Sequence, residues 1–330
     1  MFLHRGFFFT QVQFRTIIPY IIYKLYTSPW PRRIMNYQEF LTTIKTQLSL
    51  RIDSDATLDI RRFTKNNGTD LDGLIIFRPN LNISPTIYLN PYYHRYLQGV
   101  PMEDIYTDIL ITYQEHLPSE DIDVSFFTDF SKAKKLMTMR LVNYKQNEKM
   151  LQEVPHFRYH DLAIIFYCLL HANKENNAHI LIHNSHLDIW KIKKEELYQV
   201  AKKNTPKLLP HQLMPLTEVL LQSHYICAED IDKDDPQIYI LTNCYRTNGA
   251  TALLYEKLLA QIADSFEKDL LILPSSIHEV LIIPVDHISK STLDHYATFI
   301  REVNETQLAD DEILSDHAYY FQRATQMITY

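Results

Sequence analysis

Residues 271–285 read LILPSSIHEVLIIPV, and this stretch restricts the fold more than any other. Two short apolar runs stand close together in the chain. Parallel strands need a crossover of about a dozen residues or more, so neighbours this close are expected to pair antiparallel, as a hairpin. Pro274 and the serines after it are turn chemistry. The loop from Ser275 to Glu279 has an ordinary hairpin length. That accounts for most of the motif. His278 and Glu279 are left over, because a plain turn requires neither.

Those loop residues are the candidate catalytic set: His278 and Glu279, with Ser275 or Ser276. A serine nucleophile needs a histidine within hydrogen-bond reach and an acid that orients it. Side chains two or three apart on one turn do not make that arrangement alone. A hydrolase therefore needs a distant partner, such as His183, His224 or Asp161, to converge on the turn.

The rest of the chain alternates helical stripes with short extended runs. Tyr37, Phe40, Leu41, Ile44 and Leu48 repeat at helical spacing from Met35 onward. TLDIRRFTKNNGTDLDGLIIFRP reads as a hairpin whose turn, Asn66-Asn67-Gly68, tolerates positive φ. TIYLN is a strand, and two helical pieces follow, broken at Gly99-Val100-Pro101. The second has Met102, Ile105, Ile109 and Tyr113 along one side, with acids in its first turn. Phe126 to Lys135 reads as helical, KLMTMRLVNY as extended, and KQNEKMLQEV as helical up to Pro155. DLAIIFYCLL and AHILIHN form a second hairpin of buried strands. KKEELYQVAKKN is a helix expected to close at Thr205-Pro206. IYILTN is a strand, Ala250 to Phe266 one long amphipathic helix, and STLDHYATFIREVN another before a mixed polar tail. Hairpins interleaved with helices, without strict βαβ alternation, make this α+β: mixed, mostly antiparallel sheets packed with amphipathic helices. The expected division is an extension at 1–34, an N-terminal lobe at 35–154 and a C-terminal lobe at 155–330.

Five glycines in 330 residues exclude whole classes of function. Gly6, Gly68, Gly73, Gly99 and Gly249 are too scattered to build a phosphate-cradling loop, so neither a P-loop nor a dinucleotide fingerprint is present. No cofactor is expected. Cys168, Cys227 and Cys244 have no paired spacing, which fits a reducing, cytoplasmic setting rather than a disulfide framework. Cys168 sits in an apolar run as a buried thiol.

Charge is divided unevenly. Residues 1–34 carry five basic residues and no acid, which leaves 28 basic against 40 acidic residues in the remainder, a balance of −12. Phosphate neutralisation supplies most affinity for nucleic acid, so an acidic body without a basic stripe is not expected to bind it. The uncharged runs in 1–34 are far shorter than the ~20 residues that span a bilayer, and no stable membrane insertion is expected. Translation starting at Met35, where the amphipathic helix begins, explains the segment better than a targeting signal.

Two histidine groups resemble metal ligands. On a strand, His179 and His183 in HILIHNSH would stand about 13 Å apart at roughly 3.3 Å per residue. That is too far to share an ion with nitrogens about 2.0–2.1 Å away. HFRYHD, with His156, His160 and Asp161, lacks the glutamate of H-E-x-x-H and reads as a polar entrance to a buried strand. No metal site is expected. Glu195-Glu196, Asp234-Asp235 and Asp310-Asp311 read as solvated faces. Tyr92, Tyr93 and Tyr96 at helical spacing read as core in preference to a stacking surface.

PTIYLNPYYHRYLQG, RLVNYKQNEKMLQEVPHFRYHDLAIIFY, LPSSIHEVLIIP and FIREVNETQL together resemble a bacterial family, domain of unknown function 5688, from about Asp59 to Tyr320. The resemblance implies a bacterial cytosolic protein and carries no catalytic residues. HILIHNSHLDIWKIKKEELYQVAKKNTPKLLP is more faintly similar to a second uncharacterised bacterial family. Absence of a nucleotide loop, a metal set and a nucleophile motif leads to one main expectation. It is a non-enzymatic binding or adaptor protein, peptide-binding or chaperone-like, working on an unknown protein or peptide through an exposed sheet or groove. The alternative is the hydrolase around His278 and Glu279.

Overall fold

In a computed structural model of the chain, residues 34–79, 81–117, 125–172, 177–223 and 237–330 are described. The extension up to residue 33 lies outside them, with Cys227, His224, Asp234-Asp235 and the centre of the HANKENN turn. The fold is α+β, and its sheets are antiparallel.

The first unit opens with α1 (Tyr37–Ser49). Asn36 caps it: its side chain accepts from Glu39 N–H while the Glu39 carboxylate accepts from Asn36 N–H, a capping box. Strands β1 (Thr57–Thr64), β2 (Asp70–Phe77) and β3 (Thr86–Tyr88) form a meander, and α2 (Asn90–Leu97) and α3 (Met102–His116) follow. Asn67 and Gly68 take φ of 58° and 71° in the β1–β2 turn, the left-handed geometry expected of NNG. Phe40, Ile44, Leu48, Leu74, Ile76, Ile105 and Ile109 are wholly buried in one core whose members all lie between Met35 and Leu117. Each such side chain stabilises the fold by about 1.5–3 kcal/mol.

The second unit is built on two sheets. After α4 (Phe130–Ala133), strand β4 (Met137–Asn143) and helix α5 (Glu148–Glu153) lead into β5 (Phe157–Tyr159), β6 (Leu162–Ala172) and β7 (Asn177–Leu181). The long β6 pairs with β4 on one side and with β5 and β7 on the other. The expected boundary at Pro155 thus falls inside one sheet. Helices α6 (Asn184–Trp190) and α7 (Lys194–Leu208), strand β8 (His211–Pro215), α8 (Leu216–Gln222) and β9 (Tyr239–Asn243) come next. They are followed by α9 (Leu258–Phe266), β10 (Asp269–Leu273), β11 (Val280–Val285), α10 (Lys290–Gln307), β12 (Tyr319–Gln322) and β13 (Met327–Thr329). The six-stranded sheet runs β13-β12-β10-β11-β9-β8.

One core joins the two sheets, with Met139, Phe166 and Cys168 on one side and Leu241, Leu270, Ile282 and Tyr319 on the other. Burial pushes the Cys168 thiol up to about 12, so it is inert. Helix α5 and the extended Val154 after it cover the outer face of the four-stranded sheet, Leu151 supplying the helix contact, and α10 packs Ile300 on the outer face of the six-stranded sheet.

Three local expectations need correction. Helix α7 does not stop at Thr205-Pro206 but runs to Leu208. Proline lacks only its own N–H, and the turn is held by Leu209 N–H donating to Thr205 O and by the Thr205 hydroxyl donating to Ala201 O. Ala250–Phe266 is not one helix. A 3-10 stretch, Gly249–Leu254, ends at extended Tyr255, and Lys257 at φ 61° starts α9. The polar tail contains β12, which lies against β10 inside the sheet.

Candidate functional site

The Ser275–Glu279 loop connects β10 to β11 in the expected hairpin, with Leu273 opposite Leu281. Most of its polar groups are spent on the chain itself. Ser276, 4% exposed, accepts the His278 N–H at its hydroxyl oxygen and bridges Ile313. The His278 carbonyl accepts from Gly249 N–H at 2.9 Å and from the Thr242 hydroxyl at 2.8 Å. Gly249 is required here, because a Cβ would lie 2.1 Å from Thr242 Oγ1 and 2.5 Å from that carbonyl.

The His278 ring is also committed. Its Nδ1 accepts the Asn248 N–H at 3.3 Å, which places a proton on Nε2, and Nε2 faces Glu312 Oε1 at 3.6 Å. Ser276 thus binds the backbone of His278, not its ring. Burial raises the pKa of half-buried Glu279, against the opposing pull of His278 and Ser276. The four loop residues come together, but no serine–histidine pair forms among them.

The distant partners go elsewhere. Asp161 follows His160, which sits at φ 56°, and its carboxylate receives the Ser315 hydroxyl at 2.6 Å, His317 Nδ1 at 3.1 Å and the Tyr319 hydroxyl. With the Ser315 hydroxyl donating to Asp161, the group holds residues 315–319 in place. His183 caps α6, its N–H donating to His186 Nδ1, while His179 stays on β7 beside Arg140. The expected strand through His183 therefore ends at Leu181. Glu195-Glu196 sit in the first turn of α7, and His156 rests against Tyr144. Tyr93 and Tyr96 are core: Tyr93 packs on Tyr37 and Phe40, its hydroxyl donates to Met35 O, and the Tyr96 hydroxyl accepts Met35 N–H.

Residues 310–316 work as a clasp between the two units. Asn66 Nδ2 donates to Asp311 O, and Asn67 Nδ2 donates to Asp310 O and Ile313 O. Asn143 donates to Leu314 O, and the loop closes the other side through Leu314 N–H to Ser275 O and Ile277 N–H to Glu312 O. The Asp310-Asp311 pair thus contributes its backbone to this clasp.

A different surface is left unoccupied by this chemistry. The face of the three-stranded sheet opposite its helices carries Phe63, Leu71, Phe77 and Tyr88, none of which belongs to a core, with Ile75 buried on the same side. Phe63 lies over Gly73, whose added Cβ would be 2.8 Å from the ring, and meets Tyr88 edge-on at 6.2 Å. Lys65 stands 4.0 Å above the Tyr88 ring and Arg61 5.4 Å from that of Phe77, which is 40% exposed. Sequence reasoning missed this face. The signal was present in the alternation of Arg61, Phe63 and Lys65 on the side of β1 away from the core.

Among the described residues, no helix is long and apolar enough to cross a membrane. The model of a family described as "Family of unknown function (DUF5688)" matches residues 37–323. No curated protein and no solved structure matches the chain.

Proposed function

Because this chain belongs to the DUF5688 family, for which no activity is assigned, we propose its role from its own geometry: a non-enzymatic peptide-binding protein. The observation that carries this is the aromatic face of the three-stranded sheet, where Phe63 and Tyr88 lie between Lys65 and Arg61 outside every core. Aromatic rings held rigid by the pleat bind at low entropic cost. The partner is a protein segment in extended form, with an aromatic or aliphatic side chain for the Phe63–Tyr88 platform and an acid for Lys65. A polyanion is disfavoured, because residues 35–330 carry −12. A bacterial cytoplasmic setting belongs to the same proposal: the bacterial part rests on the sequence resemblance and the reducing compartment on cysteines without paired spacing.

Panning random displayed peptides on the full chain tests this. Selected peptides should share an apolar-plus-acidic pattern, lose binding to Phe63→Ser and to Lys65→Glu, and keep binding to Leu97→Ser on α2. Peptides that bind all variants equally, or no selectable binder, would overturn the proposal. Lys65→Glu leaves the rings in place and separates lost recognition from lost folding.

A further inference from the structure

Three adjacent strands place Arg140 (β4), Tyr167 (β6) and His179 (β7) on one face of the four-stranded sheet. The register sets Arg140 opposite Ile165, Tyr167 opposite Leu181 and Leu169 opposite His179, so these side chains share the outer side. Arg140 lies across the intervening ring, its Cζ 3.9 Å from the Tyr167 centroid, and its Nη1 reaches His179 Nε2 at 3.2 Å. The Tyr167 and His179 rings meet edge-on at 4.9 Å. A guanidinium only donates, so His179 Nε2 accepts and carries a lone pair toward it.

The charge balance here is unusual. Arg140 is half-buried, yet among the described residues no carboxylate lies within ion-pair distance of it. By comparison, Arg51, Arg61, Arg78, Arg95 and Arg323 each have an acid at 2.5–2.9 Å. Cations withdrawn from water are normally paired, and an apolar side chain of similar volume would pack on Tyr167 without that penalty. The stacked, planar fork is the geometry that recognises an oxyanion with two oxygens. Burial lowers the Arg140 pKa and Tyr167 raises it, so the ring is part of what holds the charge.

We propose that Arg140, stacked on Tyr167 and steered by His179, is a binding site for an oxyanion: a carboxylate or a phosphomonoester. This site lies on a different sheet from the peptide face and does not depend on that reading. Binding engages the guanidinium fork in a bidentate pair while His179 Nε2 holds its Nη1.

The test follows the His179 and Tyr167 ring resonances of the full chain by NMR at constant ionic strength. One arm adds phenyl phosphate. The other adds an N-acetyl dipeptide with a free C-terminus, with its amide as control. Saturable shifts of both rings in either acid arm, absent with the amide, are expected, and the arm that saturates at lower concentration identifies the source. Arg140→Gln should abolish them, while Arg158→Gln, which removes a guanidinium stacked on Tyr144 of the same sheet, should not. Arg140→Lys, which keeps charge and bulk, should weaken binding about tenfold, the loss of one charge-assisted hydrogen bond. No saturable shift in the parent, equal shifts in Arg140→Gln, or unchanged affinity in Arg140→Lys would each overturn the assignment.

Discussion

Asn67 and Asn147 hold each other by two hydrogen bonds: Asn67 N–H donates to Asn147 Oδ1 at 2.9 Å, and Asn147 Nδ2 donates to Asn67 Oδ1 at 2.8 Å. Asn147 is 2% exposed and also donates to Asn143 O at 2.8 Å. Truncating it leaves buried groups unpaired, so Asn147→Ala should cost about 1–3 kcal/mol in urea denaturation. Asn67→Gly keeps the positive φ and removes only the side chain. In a double-mutant cycle the pair should couple by about 0.5–3 kcal/mol, and strict additivity would refute a direct link.

Gly249 marks the other end of the clasp. The close approach of the His278 carbonyl and Thr242 hydroxyl leaves no room for a methyl group, and both neighbours are hydrogen-bonded to each other. Gly249→Ala should destabilise by about 1–3 kcal/mol or more, as overpacked sites do. Thr242→Ala, which removes the hydroxyl, combined with it should recover little, because the backbone contacts at His278 and Asn243 remain. Full recovery in that double variant would show that the hydroxyl alone sets the limit.

Glu279 makes stability fall as pH rises. Burial raises its folded pKa above 4.5, so just above that pH the folded chain keeps a proton the unfolded chain has released. Glu279→Gln removes the penalty. Relative to the parent, the variant should gain stability as pH rises from about 4.5 toward neutrality. Denaturation at a series of pH values measures this, and a relative loss over the same range contradicts it.

His160 acts in the opposite sense. Burial outweighs the pull of Asp161 and lowers its pKa below 6.5, so the folded chain resists a proton that the unfolded chain accepts. Its contribution is complete above 6.5 and declines as pH falls toward the lowered value. His160→Asn tolerates φ 56° and should flatten the melting temperature over that interval. An unchanged slope would assign the acid sensitivity to other groups.

Much of the local structure was legible. Hairpins at β1–β2, β6–β7 and β10–β11 follow from apolar runs divided by turn residues, and α1, α3 and α10 from stripes at helical spacing. Strand β12 was not, because Tyr319–Gln322 is too short to show a period and gains its place only by pairing with β10 and β13. The long helix over 250–266 failed for a related reason: Ala250 N–H is drawn to Ile277 O, a partner no helical pattern reveals.

The candidate residues divide along the same line. Ser275, Ser276, His278 and Glu279 were visible as a polar loop in the sequence, which could not show that their hydrogen bonds run to residues 312–314, 242 and 248–249. By itself the sequence determined the hairpins, the helical faces, the absence of a phosphate loop and the acidity of the body, because period, turn chemistry and charge are local or additive. Tertiary structure alone decided that Asn67 meets Asn147, that Asp161 receives Ser315 and His317, and that Arg140 rests on Tyr167 and reaches His179. Those relationships join residues far apart in the chain, and only the closing of the sheets brings them within hydrogen-bond reach.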